Sequence, residues 1–160
     1  MLPFALVSNS VLVLTAATLF WVALNDFREF KIRNDLVIVL IGLYVVYALI
    51  ATPWTEILWH VLLAVGMLAI MIYYYSQNLM GGGDVKLLAV AFLWTGPRCA
   101  LLFAILLAVF VLIHTMAAKY NWVEVQVREK RRRIPLAPAI AGALIGVFMS
   151  GCMASTSGFI

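Results

Sequence analysis

NLMGGGDVKLLAVAFLWTGPR, residues 78–98, interrupts an apolar chain with three consecutive glycines and then sets a carboxylate, Asp84, at the mouth of the next apolar run. That run is short. Residues 84–96, at about 1.5 Å each, cover roughly 20 Å of a bilayer core about 30 Å thick. Either the bilayer thins locally or Asp84 lies below the membrane surface. Irregular backbone at such depth is tolerated only where it is buried in protein or lines a wet cavity. The glycine triplet therefore predicts a water-filled indentation reaching Asp84. An ionisable group so placed is costly, and that makes it a functional candidate.

The surrounding sequence sets this stretch in lipid. Of 160 residues, 66% are hydrophobic and 11% are charged, against roughly 45–50% and about 25% in soluble domains. No aqueous fold hides that much apolar surface. The length suits a single domain, 1–160. Apolar runs near 4–25, 36–52, 56–76, 85–96, 98–118 and 135–157 predict an all-α integral membrane bundle of six transmembrane helices. They are divided by NDFREFKIRND, ATPWTE, SQNLMGGGD, WTGPR and KYNWVEVQVREKRRR. The first basic residue is Arg28, so the basic start of a cleaved signal peptide is missing and the first apolar run is expected to persist as a helix.

Orientation follows from the placement of Lys and Arg. With the segments 26–35, 77–86 and 119–133 in the cytoplasm, only Arg98 of the 11 Lys and Arg residues faces outward, and both termini lie outside. Trp54, Trp59 and Trp94 then mark the outer interface and Tyr73, Tyr74 and Tyr75 the inner one, as aromatic belts do. A pI near 9.3 is thus a membrane signature and implies no nucleic-acid partner. REKRRR, residues 128–133, reads as a topology anchor on anionic lipid. Cys99 and Cys152 form no Cys-x-x-Cys pair and are expected as free thiols near the outer helix ends, with no metal and no cofactor implied.

Asp26, closing the first helix, and Asp84, opening the fourth, fall on the same cytoplasmic side. Two carboxylates close together cannot both ionise comfortably, so they share a proton. The ionised one then takes a proton from water while the neutral one donates to a peptide carbonyl. Spacing alone equally allows interfacial caps or an ion pathway.

At this point the residues match a known pattern. NDFREFKIRND resembles the D-x-R…I-x-N element of the type IV prepilin peptidases, with Asp26, Arg28, Ile32 and Asn34 in register. GGGDVKLLAV resembles their G-x-G-D-x-K-L element, carried by Gly81, Gly83, Asp84, Lys86 and Leu87, and RRIPLAPAIAGALI is similar to the start of their last helix. The resemblance implies a GxGD-type aspartic endopeptidase of the bacterial inner membrane. Asp26 and Asp84 would be its catalytic pair and Gly81, Gly83, Lys86, Asn34 and Arg28 its supporting motif residues. Its substrate would be a prepilin or pseudopilin, cut behind a short basic leader at the cytoplasmic face. Arg33 stands where relatives often carry proline, which alters the turn more than the chemistry. The short link from Asp26 to Asp35 leaves no room for the Cys-rich cytoplasmic domain of the bifunctional, N-methylating relatives. The chain therefore resembles the peptidase-only branch serving Flp-type (tight-adherence) pilins.

Plainer duties accompany several of these residues. Asn34 suits a helix N-cap, Asp35 the positive end of the same helix, and Lys86 a side chain that either reaches to lipid headgroups or holds the Asp84 region electrostatically. His60, four positions after Glu56, suits a helical side-chain pair; His114 suits a packed or hydrogen-bonded role. Gly142, Gly146 and Ser150 form a small-residue stripe for close helix packing within the bundle. The rival from another class is a small transporter or ion channel with the acids as ion sites; a third reading is a catalytically silent scaffold of a pilus machine. Oligomeric state is not legible in the sequence.

Overall fold

The apolar runs become helices in the computed structural model, which describes residues 2–29, 32–78, 80–119, 126–128, 131–133 and 136–153. Among these residues stand five helices: α1 (Leu2–Glu29), α2 (Asn34–Ala51), α3 (Trp54–Ser76), α4 (Gly82–Lys119) and α5 (Ala137–Met149). A two-stranded antiparallel ladder, β1 (Gln126–Arg128) with β2 (Arg131–Arg133), precedes α5. It lies where only a polar lipid anchor is expected, because a charged segment carries no apolar alternation to announce strands. The first four helices are long and apolar enough to cross a membrane.

α4 is two helices in one. At Gly96 the backbone takes φ 58° and ψ −179°, and Pro97 restarts the helix, a position where its missing N–H costs nothing. A straight helix would hold Phe92 and Phe103 roughly 16 Å apart, yet their rings meet edge to face with centroids 5.1 Å apart. The arms, 82–95 and 97–119, therefore fold back on each other. They correspond to the expected fourth and fifth spans. The expected sixth is curtailed: α5 stops at Met149, the chain turns through Gly151 at φ 70°, and residues beyond 153 lie outside the described ones.

α5 packs along the second arm in one continuous antiparallel register. A side chain at Gly142 would strike Phe110 and one at Gly146 would strike Leu106, so the glycine stripe serves packing inside the bundle. The register ends in a disulfide between Cys99 and Cys152, Cα atoms 6.2 Å apart. This corrects the expectation of free thiols. Separation in sequence hid a pairing that antiparallel packing creates.

One further expectation is corrected at this end of the molecule, and another is extended. Trp94 is no interfacial residue. It is wholly buried, packs against Tyr44, Tyr47 and Phe148, and donates its indole N–H to the Leu40 carbonyl at 3.1 Å. Trp54 and Trp59 remain exposed, at 78% and 61%. Glu56 pairs with Arg98 at 2.6 Å, while His60 donates from Nδ1 to the Leu93 carbonyl at 2.9 Å and lays its ring against Gly96. Glu56 acts on the His60 ring through its charge, as the i, i+4 spacing implies, and the adjacent helix adds a hydrogen-bonding partner in the Leu93 carbonyl.

α3 runs antiparallel beside the first arm, with Tyr75 against Gly82 at one end and His60 against Leu93 near the other. The glycine triplet is thus level with the end of α3, and Trp54 extends past Gly96.

Gly96 combines a left-handed φ with a neighbour, the His60 ring, already occupying the space of a side chain. Gly96→Ala is expected to destabilise the detergent-solubilised protein by at least about 2 kcal/mol, read as a lowered thermal midpoint. Gly42→Ala, where nothing lies within 4 Å, should instead raise the midpoint, by roughly 0.5–1 kcal/mol of stability.

Candidate functional site

Asp26 sits in the last turn of α1 and is 5% exposed. Its Oδ2 accepts a hydrogen bond of 3.2 Å from the backbone N–H of Ala137, the first residue of α5. That N–H belongs to the helix's first turn, which has no intrahelical acceptors. The local sequence IPLAPAIAG supplies no Ser, Thr, Asp or Asn to cap it, and Leu136 makes no side-chain cap. The carboxylate of Asp26, 111 positions earlier, does this work from another helix and lies at the positive end of the α5 dipole. A helix start without a capping residue was the available sign of this partnership; it went unread because nothing local names the distant partner.

Asp84 is in the first turn of α4 and half-buried. The glycines before it are small for separate reasons. A Cβ on Gly81 would lie 2.9 Å from Asp84 Oδ2, one on Gly82 would lie 3.3 Å from the Tyr75 ring, and one on Gly83 would lie 3.0 Å from Ile32 Cβ. Asn78, at φ 57°, takes the left-handed conformation that closes α3 just upstream. The triplet therefore admits the Asp84 carboxylate on one side and the α1–α2 connection on the other.

Asn34 and Lys86 meet. Lys86 Nζ donates to Asn34 Oδ1 at 2.9 Å, joining the first residue of α2 to the first turns of α4. Asn34 is not the cap expected: Arg33 holds that position, without a side-chain cap bond, and pairs with Asp35 at 3.0 Å instead. Lys86 reaches across to a neighbouring segment, where a headgroup contact was one expectation. Arg28 is exposed in the last turn of α1, where a cation suits the negative helix end.

Both acids thus lie at one end of the bundle. Ile32, shortly after Asp26, touches Gly83, the residue before Asp84. His114, half-buried, lines a cavity of about 140 Å³ with Val111, Thr115, Leu136 and Ala139, and the last two flank Ala137. Among the described residues no group of three His, Cys, Asp or Glu side chains has metal-binding spacing. A pair of carboxylates at a helix-lined end can supply a general base and a general acid without any nucleophilic side chain.

The sequence profile of the type IV leader peptidase family matches residues 13–116. The chain belongs to the type IV leader peptidase family. It is accordingly a prepilin leader peptidase, a hydrolase, and the resemblance read from the two acid motifs is borne out. The matched region holds Asp26, Asn34, Asp84 and Lys86 and stops before α5. No curated protein and no solved structure matches the chain significantly.

The close approach at Gly81 makes a sharp expectation for this leader peptidase. Gly81→Ala should displace the Asp84 carboxylate and, with Asp84 in the catalytic role that the family resemblance implies, cut the rate of leader cleavage by at least about 10-fold, since misplacing a reacting group by an ångström costs up to about 100-fold. Steady-state cleavage of a purified prepilin checks it, with Gly42→Ala expected to match the unaltered enzyme.

Proposed function

We propose that this chain is an aspartic endopeptidase of the bacterial inner membrane that removes the short basic leader from Flp-type prepilins or pseudopilins at the cytoplasmic face. The observation that carries the reading is the meeting of the α1–α2 connection with the Asp84 segment, Ile32 against Gly83, within a chain of the leader peptidase family. In this mechanism Asp26 and Asp84 share one proton. The ionised carboxylate takes a proton from water as the water oxygen attacks the scissile carbonyl carbon. The protonated one donates to the carbonyl oxygen, and collapse of the tetrahedral intermediate breaks the C–N bond as a proton passes to the leaving amine. A leader followed by an apolar helix can reach such a site by lying alongside the bundle in lipid.

The orientation belongs to the same proposal. The two arms of α4 and α5 each make one pass through the bundle, giving six passes with both termini outside. Three features support it: the Lys and Arg bias, exposed Trp54 and Trp59 at one end with exposed Tyr73, Tyr74 and Tyr75 at the other, and a disulfide at the end assigned to the oxidising compartment. Alkylation of intact cells with a thiol reagent is expected to leave Cys99 and Cys152 unlabelled until a reductant is added. Labelling without reductant would show free thiols and remove the disulfide as support for this orientation.

Substitutions at the acids separate chemistry from capping. Asp26→Asn and Asp84→Asn should each lower leader cleavage by at least about 100-fold, with the thermal midpoint of Asp26→Asn near that of the unaltered protein, because the amide oxygen still accepts the Ala137 N–H. Asp26→Ala should lose cleavage and, in addition, about 1 kcal/mol of stability with the cap. Retained cleavage in both Asn variants would sink the two-acid mechanism.

A further inference from the structure

We propose that Asn34 and Lys86 act as a single latch that holds the start of α2 against the start of α4 and so sets the separation of Asp26 and Asp84; both are positioning residues, and the proposal rests on the two-acid reading above. The contact is specific. Lys86 Nζ lies 2.9 Å from Asn34 Oδ1, across 52 positions of sequence. A second contact runs in step with it: Ile32 lies against Gly83, so the residues two before Asn34 and three before Lys86 also meet. Residues 32–34 are thereby laid along the first turn of α4 with Asp84 between the two contact points.

Neither residue is spent on the local duty its type suggests. Arg33 occupies the N-cap position of α2 and turns its side chain to Asp35, leaving the Asn34 oxygen directed at α4. An amide oxygen and an ammonium suit a fixed link at a wet edge, because the acceptor has no charge to titrate and the donor is a compact point charge with three rotatable N–H bonds. Asp26 is held from its other side by the Ala137 N–H. Each acid-bearing segment is thus tied to a neighbour, and the latch, together with the Ile32–Gly83 contact, joins the two segments to each other.

Magnitudes decide what the latch governs. Both side chains are exposed, and exposed polar pairs contribute little to global stability. A shift of an ångström between reacting groups costs up to about 100-fold in rate. The consequence falls on turnover while the fold and the substrate-binding surface are left intact.

The test uses the full-length enzyme in detergent with a prepilin carrying its leader, comparing Asn34→Ala, Lys86→Met, the double variant and Lys86→Arg. Each single loss is expected to lower kcat about 10-fold with KM within about twofold, as for an interaction realised in the transition state. The double variant should be no slower than the slower single one, because one contact is removed either way. Lys86→Arg, which still donates to Asn34, should recover most of the rate. Multiplying effects in the double variant, an effect confined to KM, unaltered kcat in the single variants, or an Arg variant as slow as Met would each overturn the latch. Hydrogen exchange over residues 34–42 reads it without activity: Lys86→Met should exchange about threefold faster, and an unchanged rate overturns the proposal. If the unaltered protein cleaves no prepilin, the protease reading falls, and the exchange measurement still decides whether the latch exists.

Discussion

The buried turn at Gly96 is the constraint to which the rest of the bundle is referred. Only a residue without a side chain accepts φ 58° there with the His60 ring against it. The turn folds α4 into two arms, and the second arm becomes the bed on which α5 lies, Gly142 on Phe110 and Gly146 on Leu106. Cys99, just past the turn, and Cys152, just past α5, close that register covalently. With its far end pinned, α5 presents its first N–H to Asp26. A backbone angle at one end of the molecule thereby bears on a carboxylate at the other.

The acid-bearing end is built from tertiary ties of modest strength. One backbone N–H orients Asp26, one ammonium joins α2 to α4, and a glycine triplet removes the side chains that would keep Asp84, Tyr75 and Ile32 apart. Each contributes little to holding the bundle together, which is the task of the buried rows around Trp94, Phe103, Leu40 and Ile140. In the proposed two-acid mechanism their importance lies in geometry, since acid–base chemistry on a peptide bond depends steeply on where two oxygens sit. The division also places the irregular backbone sensibly. The deepest break, at Gly96, is enclosed by protein, and the break at Gly81 is at the level where α3 ends.

Much of this was legible in the chain because membranes impose long-period patterns. Apolar runs, polar breaks and the glycines at 81–83 and 96 named the helices and the arms of α4, and the two acid motifs named the family. What was misread depended on which helix faces which. Trp94 looked like a belt residue alongside Trp54 and Trp59, yet it lies against α2. His60 was legible as a neighbour of Glu56, but not as the donor to a carbonyl on α4. Asn34 looked like a cap, yet it holds a lysine far along the chain.

By itself the sequence determined that this protein lives in lipid, where its helices begin and break, and that two carboxylates stand at ends of helices in a leader peptidase pattern. Composition and spacing suffice for that, because hydropathy and backbone freedom are properties of single residues and short windows. Only the tertiary structure decided that Cys99 meets Cys152, that Ala137 holds Asp26, and that Asn34 meets Lys86. Those pairings depend on the relative register of helices, which is settled by side-chain packing across the bundle and is written in no single stretch of the chain.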